Sequence, residues 1–404
     1  MRSLIIVRGL VRCNKIAWIK REGLNNFLLD IENIKRVFYR PEYKGSRDFL
    51  TRSYDDLVYK VFMEALCTRL STGCLVVVDI GNESTSIIEE LAVFFGYTVF
   101  YHVERTPSDY IGKNRKYCEP CYLTPTKETL KREITDFNNF SYDGKKLINS
   151  YNDLEQYWEP LTHPNRLYKK SKILHVSDLH SHYKIFKNII NPLTEQNTLT
   201  IFAGDYIDGP EEGGSRDLID FLIKDSRENI IYLEGNHELR LRKFLAYTYF
   251  KCRNKKIISD ILRASIPPDF EKTEQEFDGL NSIDAWRIAG ELNKKLQEFF
   301  IYSLGNETYY CTHGGIRWIE QLSPKYVGNA ICSNKNPDRI DEQFSKKYYD
   351  NKCFSIHGHC KYPEKIEYLK YPGVINIDTE DEFRVNYLIC ELNKNFKVCV
   401  INEK

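Results

Sequence analysis

The stretch Ile173-Leu174-His175-Val176-Ser177-Asp178-Leu179-His180 decides how this chain is read. An apolar run ends in Asp and His, the pattern of a buried strand that delivers an oxygen and a nitrogen ligand at its C-terminal tip. Four further stretches repeat the construction in order. Leu199-Thr200-Ile201-Phe202 runs into Gly204-Asp205-Tyr206-Ile207-Asp208, and Ile230-Ile231-Tyr232-Leu233 runs into Gly235-Asn236-His237-Glu238. Thr308-Tyr309-Tyr310-Cys311 runs into His313-Gly314-Gly315, and Phe354-Ser355-Ile356 runs into His357-Gly358-His359. One such segment arises easily by chance. The whole ordered set predicts strand tips that converge on a pair of cations.

Those residue types suit one kind of chemistry. Hydrolysis of a phosphate ester needs a water able to attack at neutral pH and a sink for charge on the phosphoryl oxygens; two divalent cations about 3.5–4 Å apart provide both. A carboxylate shared between them, with imidazole and amide donors around it, suits manganese first, with iron, zinc or nickel as alternatives. The expected activity is therefore metal-dependent hydrolysis of a phosphate-ester substrate.

In order and wording, the segments resemble the calcineurin-like metallophosphoesterases, in particular the branch holding the protein phosphatases and the bacterial polynucleotide kinase–phosphatases. The resemblance implies a β-sandwich flanked by helices. It implies that Asp178, His180 and Asp205 hold a first metal, and that Asp205 bridges to a second held by Asn236, His313 and His359. His237 matches the family's general acid and Asp208 its orienting carboxylate. Many relatives end the last segment in Gly-His-x-His, where this chain has Gly358-His359-Cys360-Lys361, which leaves the first metal one protein ligand short. The family also places Arg directly after the second Asp of Gly-Asp-x-x-Asp. Here Asp208 is followed by Gly209-Pro210-Glu211-Glu212-Gly213-Gly214-Ser215-Arg216, so the phosphate clamp must come from elsewhere. Arg216 and Arg240 are the first candidates, then Arg242 and Arg317, and each reads equally well as a solvated arginine. His102, His175 and His182 read as core histidines, and His357 is open between core and metal.

At 404 residues the chain exceeds the usual single domain. The expected class is a two-domain α/β protein: a parallel sheet with helices at 1–150, a linker at 151–172, and the phosphoesterase sandwich at 173–404 with a helical insertion at about 239–300. The first half opens with the strand Leu4–Arg8, then Gly9, then Lys15 ahead of a helical run through Ala17-Trp18-Ile19. Strand, Gly, spacer, Lys and helix is the layout of a phosphate-binding loop. The match is degenerate, because Asn14 stands at a Gly position and Ile16 where Ser or Thr would hold magnesium. Leu75–Asp79 and Tyr97–Val103 read as further strands joined by crossover helices.

The succession of Gly9 and Lys15, Glu32 and Lys35, Asp79 and Asn82, then Arg105, Lys113, Arg115 and Lys116, resembles the polynucleotide 5′-kinase domain. A kinase-like half ahead of a calcineurin-like half is the arrangement of bacterial polynucleotide kinase–phosphatases, which heal broken RNA ends. The resemblance implies RNA ends as partner, with removal of 2′,3′-cyclic or 3′-terminal phosphate. With the magnesium-binding hydroxyl absent, ATP is not expected to serve as a phosphoryl donor. A P-loop half of that kind would bind nucleic acid or form a homodimer contact, and removing residues 1–150 should weaken action on RNA while sparing small aryl phosphates. A Ser/Thr-type protein phosphatase and a dinucleoside polyphosphate hydrolase are the alternatives. A vestigial site conflicts with the full ligand set.

The net charge of +1 provides no whole-protein field to recruit nucleic acid, so local patches would have to do so. Twelve cysteines without a disulfide framework, and no apolar span long enough for a membrane, lead to the expectation of a cytoplasmic, reduced protein. Cys118 and Cys121 form one close pair with no second pair to complete a zinc site. Tyr247, Tyr249 and Phe250 interleave with Lys251, Arg253 and Lys255, which reads either as a base-stacking surface or as an ordinary amphipathic helix.

Overall fold

The structure is a computed structural model, and it describes residues 1–9, 15–38, 47–80, 84–104, 135, 140–166, 172–194, 198–331, 337–359, 371–378, 384–391 and 396–402. Asn14, Asn82, the stretch 105–116, Cys118, Cys121 and Cys360 lie outside these residues.

One parallel sheet organises the first half. β1 (Arg2–Arg8), β2 (Leu28–Asp30), β3 (Val76–Asp79), β4 (Tyr97–Val103) and β5 (Lys146–Leu147) lie in the order β2-β3-β1-β4-β5. Every neighbouring pair is parallel. β1 sits in the middle and is apolar from Leu4 to Val7 because both of its faces are covered: Leu4 and Ile6 enter one hydrophobic cluster, Ile5 and Val7 another. The helix Arg47–Leu70 lays Phe62, Met63, Leu66 and Leu70 on the first face, a single stripe at helical spacing. The helix Lys15–Arg21 covers the second with Trp18 and Ile19.

The second half is a sandwich. Its strands are β6 (Asn165–Arg166), β7 (Lys172–Val176), β8 (Thr198–Phe202), β9 (Ile230–Leu233), β10 (Leu296–Gln297), β11 (Phe299–Leu304), β12 (Glu307–Thr312), β13 (Cys353–His357), β14 (Val374–Asn376), β15 (Arg384–Glu391) and β16 (Phe396–Asn402). One sheet has the order β10-β9-β8-β7-β15-β16 and the other β14-β13-β12-β11-β6. Ile173, Leu199 and Ile201 of the first sheet meet Tyr309, Cys311 and Ile356 of the second in one core cluster. Their neighbours Leu174, Val176 and Phe202 point the other way, into the cluster that the helices close. The second half is thus the helix-flanked sandwich that the family resemblance implies.

Two expectations change. The stretch read as a linker is folded, with a helix at Glu155–Thr162 and β6 pairing with β11. The insertion is helical (Asn236–Cys252, Lys256–Ser265, Glu271–Glu276, Ser282–Lys295), but Tyr249 and Phe250 among its aromatic residues are buried. Tyr249 and Phe250 pack on Phe94 of the first half, and Arg253 lies over Tyr249 while pairing with Glu90. Tyr249, Phe250 and Arg253 thus build a contact between the halves, as the amphipathic-helix reading expects, while Tyr247 is half-buried under Lys251 and Arg263. Leu4, Phe62 and Leu66 share a cluster with Phe244, Leu245 and Leu262, so one apolar core runs across both halves. No described helix is long and apolar enough to cross a membrane.

Candidate active site

Parallel strand tips gather the predicted residues. β7, β8 and β9 run parallel in one sheet, and β12 and β13 run parallel in the other. Asp178 and His180 follow β7, Asp205 and Asp208 follow β8, and Asn236 and His237 open the helix after β9. His313 follows β12 and His359 follows β13. All of these except the fully buried His313 line, with residues of the insertion, a cleft of about 590 Å³.

Asp205 is the hub. Its Oδ2 lies 3.2 Å from His313 Nε2, 3.6 Å from His237 Nε2 and 4.0 Å from His180 Nε2. Three of the imidazoles are held by the opposite nitrogen. His313 Nδ1 donates to the carbonyl of Ala203 at 2.7 Å, His180 Nδ1 to that of Ile207 at 3.2 Å, and His237 Nδ1 to Asp208 Oδ2 at 2.7 Å. A carbonyl or carboxylate oxygen only accepts, so each ring carries its proton on Nδ1 and turns Nε2 inward, the usual device for presenting imidazole to a metal. Asn236 Oδ1 lies 3.0 Å from His313 Nε2, and Asp178 Oδ1 lies 3.8 Å from His180 Nε2. Two donor groups result, His180 with Asp205 and His237, and Asp205 with His313 and His359, and they share the Asp205 carboxylate. Carboxylate, imidazole and amide donors around one shared carboxylate fit two divalent cations. Burial works against a charged His313 ring, but the Asp205 carboxylate outweighs it and holds the imidazole up to about 10.

The backbone is bent to make this convergence. Asp178, His180, Asp205, Asp208 and His359 all have positive φ, between 38° and 66°. Left-handed backbone costs on the order of 1 kcal/mol for a residue with a Cβ, and Asp tolerates it best because its short side chain bonds locally. Neighbouring glycines make the approach sterically feasible. A Cβ on Gly235 would stand 2.2 Å from Asp205 Oδ1, and one on Gly358 would stand 2.2 Å from Asp178 Oδ2.

Glu238 is a supporting residue that its place in Gly-Asn-His-Glu did not by itself explain. Fully buried, it accepts from the backbone N–H of Gly235 and Asp205 through Oε2, and from that of Tyr206 through Oε1. It ties the β8 tip to the start of the helix. Burial and the nearby Asp205 charge push its carboxyl up to about 7.

The clamp candidates separate clearly. Arg216 is not brought to the site: its guanidinium lies over the Phe277 ring and its Nε pairs with Asp220 at 3.4 Å. Arg242 is buried against Glu234, and Arg317 does not line the cleft. Arg240 is close, with Nη1 at 3.4 Å from Asp208 and 3.1 Å from Asp269. Lys272, from the insertion, lines the cleft, and no sequence signal marked it because it lies far along the chain from every motif. The family arginine has no room here, since a Cβ on Gly209 would fall 1.5 Å from the His180 carbonyl oxygen.

The other histidines are structural. His175 bonds the Tyr302 hydroxyl in the sandwich core, His102 stacks on Trp18, and His357 pairs with Asp341 at 3.0 Å. His182 is buried but lines the cleft. In the first half, buried Lys15 meets Asp79, the last residue of β3, at 2.7 Å, and Gly9 directly follows β1.

A shared-carboxylate cation site at the parallel strand tips of a sandwich defines a metal-dependent phosphoesterase. The sequence profile of the calcineurin-like phosphoesterases matches residues 171–391, more than half of the chain, and the chain belongs to that family. Among solved structures it is similar to a protein serine/threonine phosphatase from Saccharomyces cerevisiae, itself described as similar to human phosphatase PP5. The identity is 12%, the TM-score 0.40, and the match covers 68% of this chain and 96% of that one. A chain of a Pnkp1/Rnl/Hen1 complex is similar at 12% identity and TM-score 0.25, over 58% of this chain and 78% of that one. No curated protein matches.

Proposed function

We propose that this metallophosphoesterase is an RNA end-healing phosphatase that removes 2′,3′-cyclic or 3′-terminal phosphate. The observation that carries the hydrolytic part is the Asp205 carboxylate shared by two donor groups, with His237 beside it and hydrogen-bonded to Asp208. Asp178, His180 and Asp205 would hold one cation and Asn236, His313 and His359 the other, with manganese the first choice. When bound, such a pair makes water acidic enough to attack at neutral pH and offsets charge on the phosphoryl oxygens.

The chain's own residues do the rest. Burial works against a charged His237 ring, but the Asp205 and Asp208 carboxylates outweigh it, so the ring carries a second proton on Nε2 and gives that proton to the departing oxygen while Asp208 fixes it through Nδ1. His237 Nε2 also faces Asp205, so it falls with the first donor group; proton donor is the role proposed for it here. Arg240 and Lys272 are the cations that hold the substrate phosphate.

The RNA part rests on the first half. Its parallel sheet, with Lys15 opening the helix after β1 and Asp79 at the tip of β3, supports the reading as a phosphate-binding-loop fold that has lost catalysis. The proposed division is 1–150 for that unit and 173–404 for the phosphoesterase.

A screen in manganese compares RNA bearing 2′,3′-cyclic or 3′-terminal phosphate with a phosphopeptide and a dinucleoside polyphosphate. Preference for the RNA ends supports the proposal; preference for the phosphopeptide replaces it with the protein-phosphatase reading.

A further inference from the structure

A line of hydroxyls runs from the loop after β7 through the insertion and ends on the carboxylate that orients His237. Gly209 N–H lies 2.9 Å from Ser181 Oγ, Ser181 Oγ lies 2.7 Å from Ser215 Oγ, and Ser215 Oγ lies 3.3 Å from Thr273 Oγ1. Thr273 Oγ1 in turn bonds Asp208 Oδ1. Ser181, Ser215 and Thr273 are all buried.

The two ends fix the direction of every proton. A backbone N–H only donates and an ionised carboxylate only accepts, and each hydroxyl has one hydrogen to give. Thr273 must therefore donate to Asp208 and accept from Ser215, while Ser215 accepts from Ser181 and Ser181 accepts from Gly209. Bonds aligned this way polarise one another and strengthen the last one, at the carboxylate.

That last bond matters because of what Asp208 does with its other oxygen. Oδ2 accepts from His237 Nδ1 at 2.7 Å, with Arg240 Nη1 at 3.4 Å. Asp208 sits in left-handed backbone, φ 63°, at the start of a Gly-rich loop, so local backbone preference does not set the aim of its side chain. Thr273 is the one described hydroxyl that fixes Oδ1, and through it the ring of His237.

We propose that Thr273 is a positioning residue for the His237–Asp208 pair, so that the insertion helix Glu271–Glu276 is part of the proton-donating machinery. This rests on the reading of His237 as the proton donor. Removing the Thr273 hydroxyl should let the Asp208 carboxylate swing and the ring follow. The loss should appear only where the leaving oxygen needs a proton.

The test measures kcat for an alkyl phosphate monoester and for p-nitrophenyl phosphate, together with metal content and thermal stability, in five variants, one of them His237→Ala alone. Thr273→Val should lose about tenfold on the alkyl ester, a part of the 10²–10⁴ that a placed proton donor supplies, and change little on the nitrophenyl ester. Thr273→Ser should restore the alkyl rate. Ser215→Ala breaks the line one link earlier and should show the same preference to a smaller degree; it also decides the matter if the valine protein does not fold. Thr273→Val added to His237→Ala should cause no further loss on the alkyl ester. Equal losses on both esters, or no loss, with His237→Ala still selective for the alkyl ester, overturn the role of Thr273 alone. Equal losses in His237→Ala itself remove the proton-donor reading, and the role of Thr273 with it.

Discussion

Arg2, the first residue of β1, places its guanidinium 2.5 Å from the carboxylate of Glu234, which immediately precedes Gly235-Asn236 at the metal site. Glu234 also receives Arg242 Nε, and all three side chains are buried. Arg242 goes on to the carbonyl of Phe94, and Arg2 to that of Phe95. One carboxylate thus pins the first half of the chain to the strand tip that carries Asn236 and His237.

Breaking this group should be costly. Glu234→Ala leaves two buried guanidinium groups short of a counter-charge, which costs on the order of 3–5 kcal/mol. Equilibrium denaturation in urea should show that loss, and a change under 1 kcal/mol would mean water or another acid compensates. The same contact overturns the expectation that the second half works alone. Removing residues 1–150 would expose Phe244, Leu245 and Phe250 and take Arg2 away from Glu234, so the truncated chain should aggregate and not hydrolyse aryl phosphates.

Asp205 should be indispensable because its oxygen serves both donor groups. Asp205→Ala is expected to reduce p-nitrophenyl phosphate hydrolysis to background and to lower bound metal by more than one equivalent. Elemental analysis after gel filtration checks this. Near-native turnover with two ions retained would exclude the shared carboxylate.

Lys272 and Arg240 should act on substrate binding in different ways. Lys272 is exposed at the cleft and touches neither Asp208 nor His237, so Lys272→Ala should raise KM by about tenfold, the size of one charged hydrogen bond, with kcat little changed. Arg240→Ala should lower kcat as well, because Arg240 also contacts Asp208. Competition by inorganic phosphate gives the independent reading, since its affinity should fall in both variants.

Much of this site was legible because each ligand lies within a few residues of an apolar strand, and strand tips on parallel strands have nowhere else to go. The strand-end pattern singles out the segments that hold Asp178, His180, Asp205, Asn236, His313 and His359, and the family resemblance proposes these residues as ligands. Lys272 and Thr273 were not, because they come from an insertion whose helices carry no motif and whose docking depends on tertiary packing. Arg216 was misplaced for a related reason. Its distance from Asp208 along the chain is short, but the helix starting at Gly214 turns its side chain toward Asp220 and Phe277. Periodicity alone does not assign the aromatic run near Tyr249, since a helix that binds bases and one that packs on a neighbouring helix share the same stripe.

Stability should also depend on His175 in acid. Burial depresses its imidazole to about 3, against about 6.5 when the chain is unfolded. The unfolded chain therefore takes up a proton first as pH falls. The contribution is full above about pH 6.5 and is lost progressively between there and about 3, amounting to a few kcal/mol. Denaturation of chelator-treated protein should show a shallower pH dependence over this window in His175→Leu than in the parent, the chelator removing the separate effect of ligand protonation. Parallel curves would show that His175 is protonated in the folded chain.

The first half gives the most exposed prediction. Lys15 is the cation that would meet a nucleotide phosphate, yet it is buried and spends its charge on Asp79 at 2.7 Å. Ile16, where a hydroxyl would hold magnesium, is 39% exposed and offers only hydrocarbon. Phosphoryl transfer depends on positioning and on charge neutralisation at the transferred group, and neither remains without that hydroxyl. The expected outcome is no transfer from ATP to 5′-OH RNA by a preparation that hydrolyses phosphate esters, and no change in either assay on Lys15→Ala beyond a loss of stability. Steady 5′-phosphorylation that disappears in Lys15→Ala would make the loop a working variant, with Asp79 releasing Lys15 when nucleotide binds.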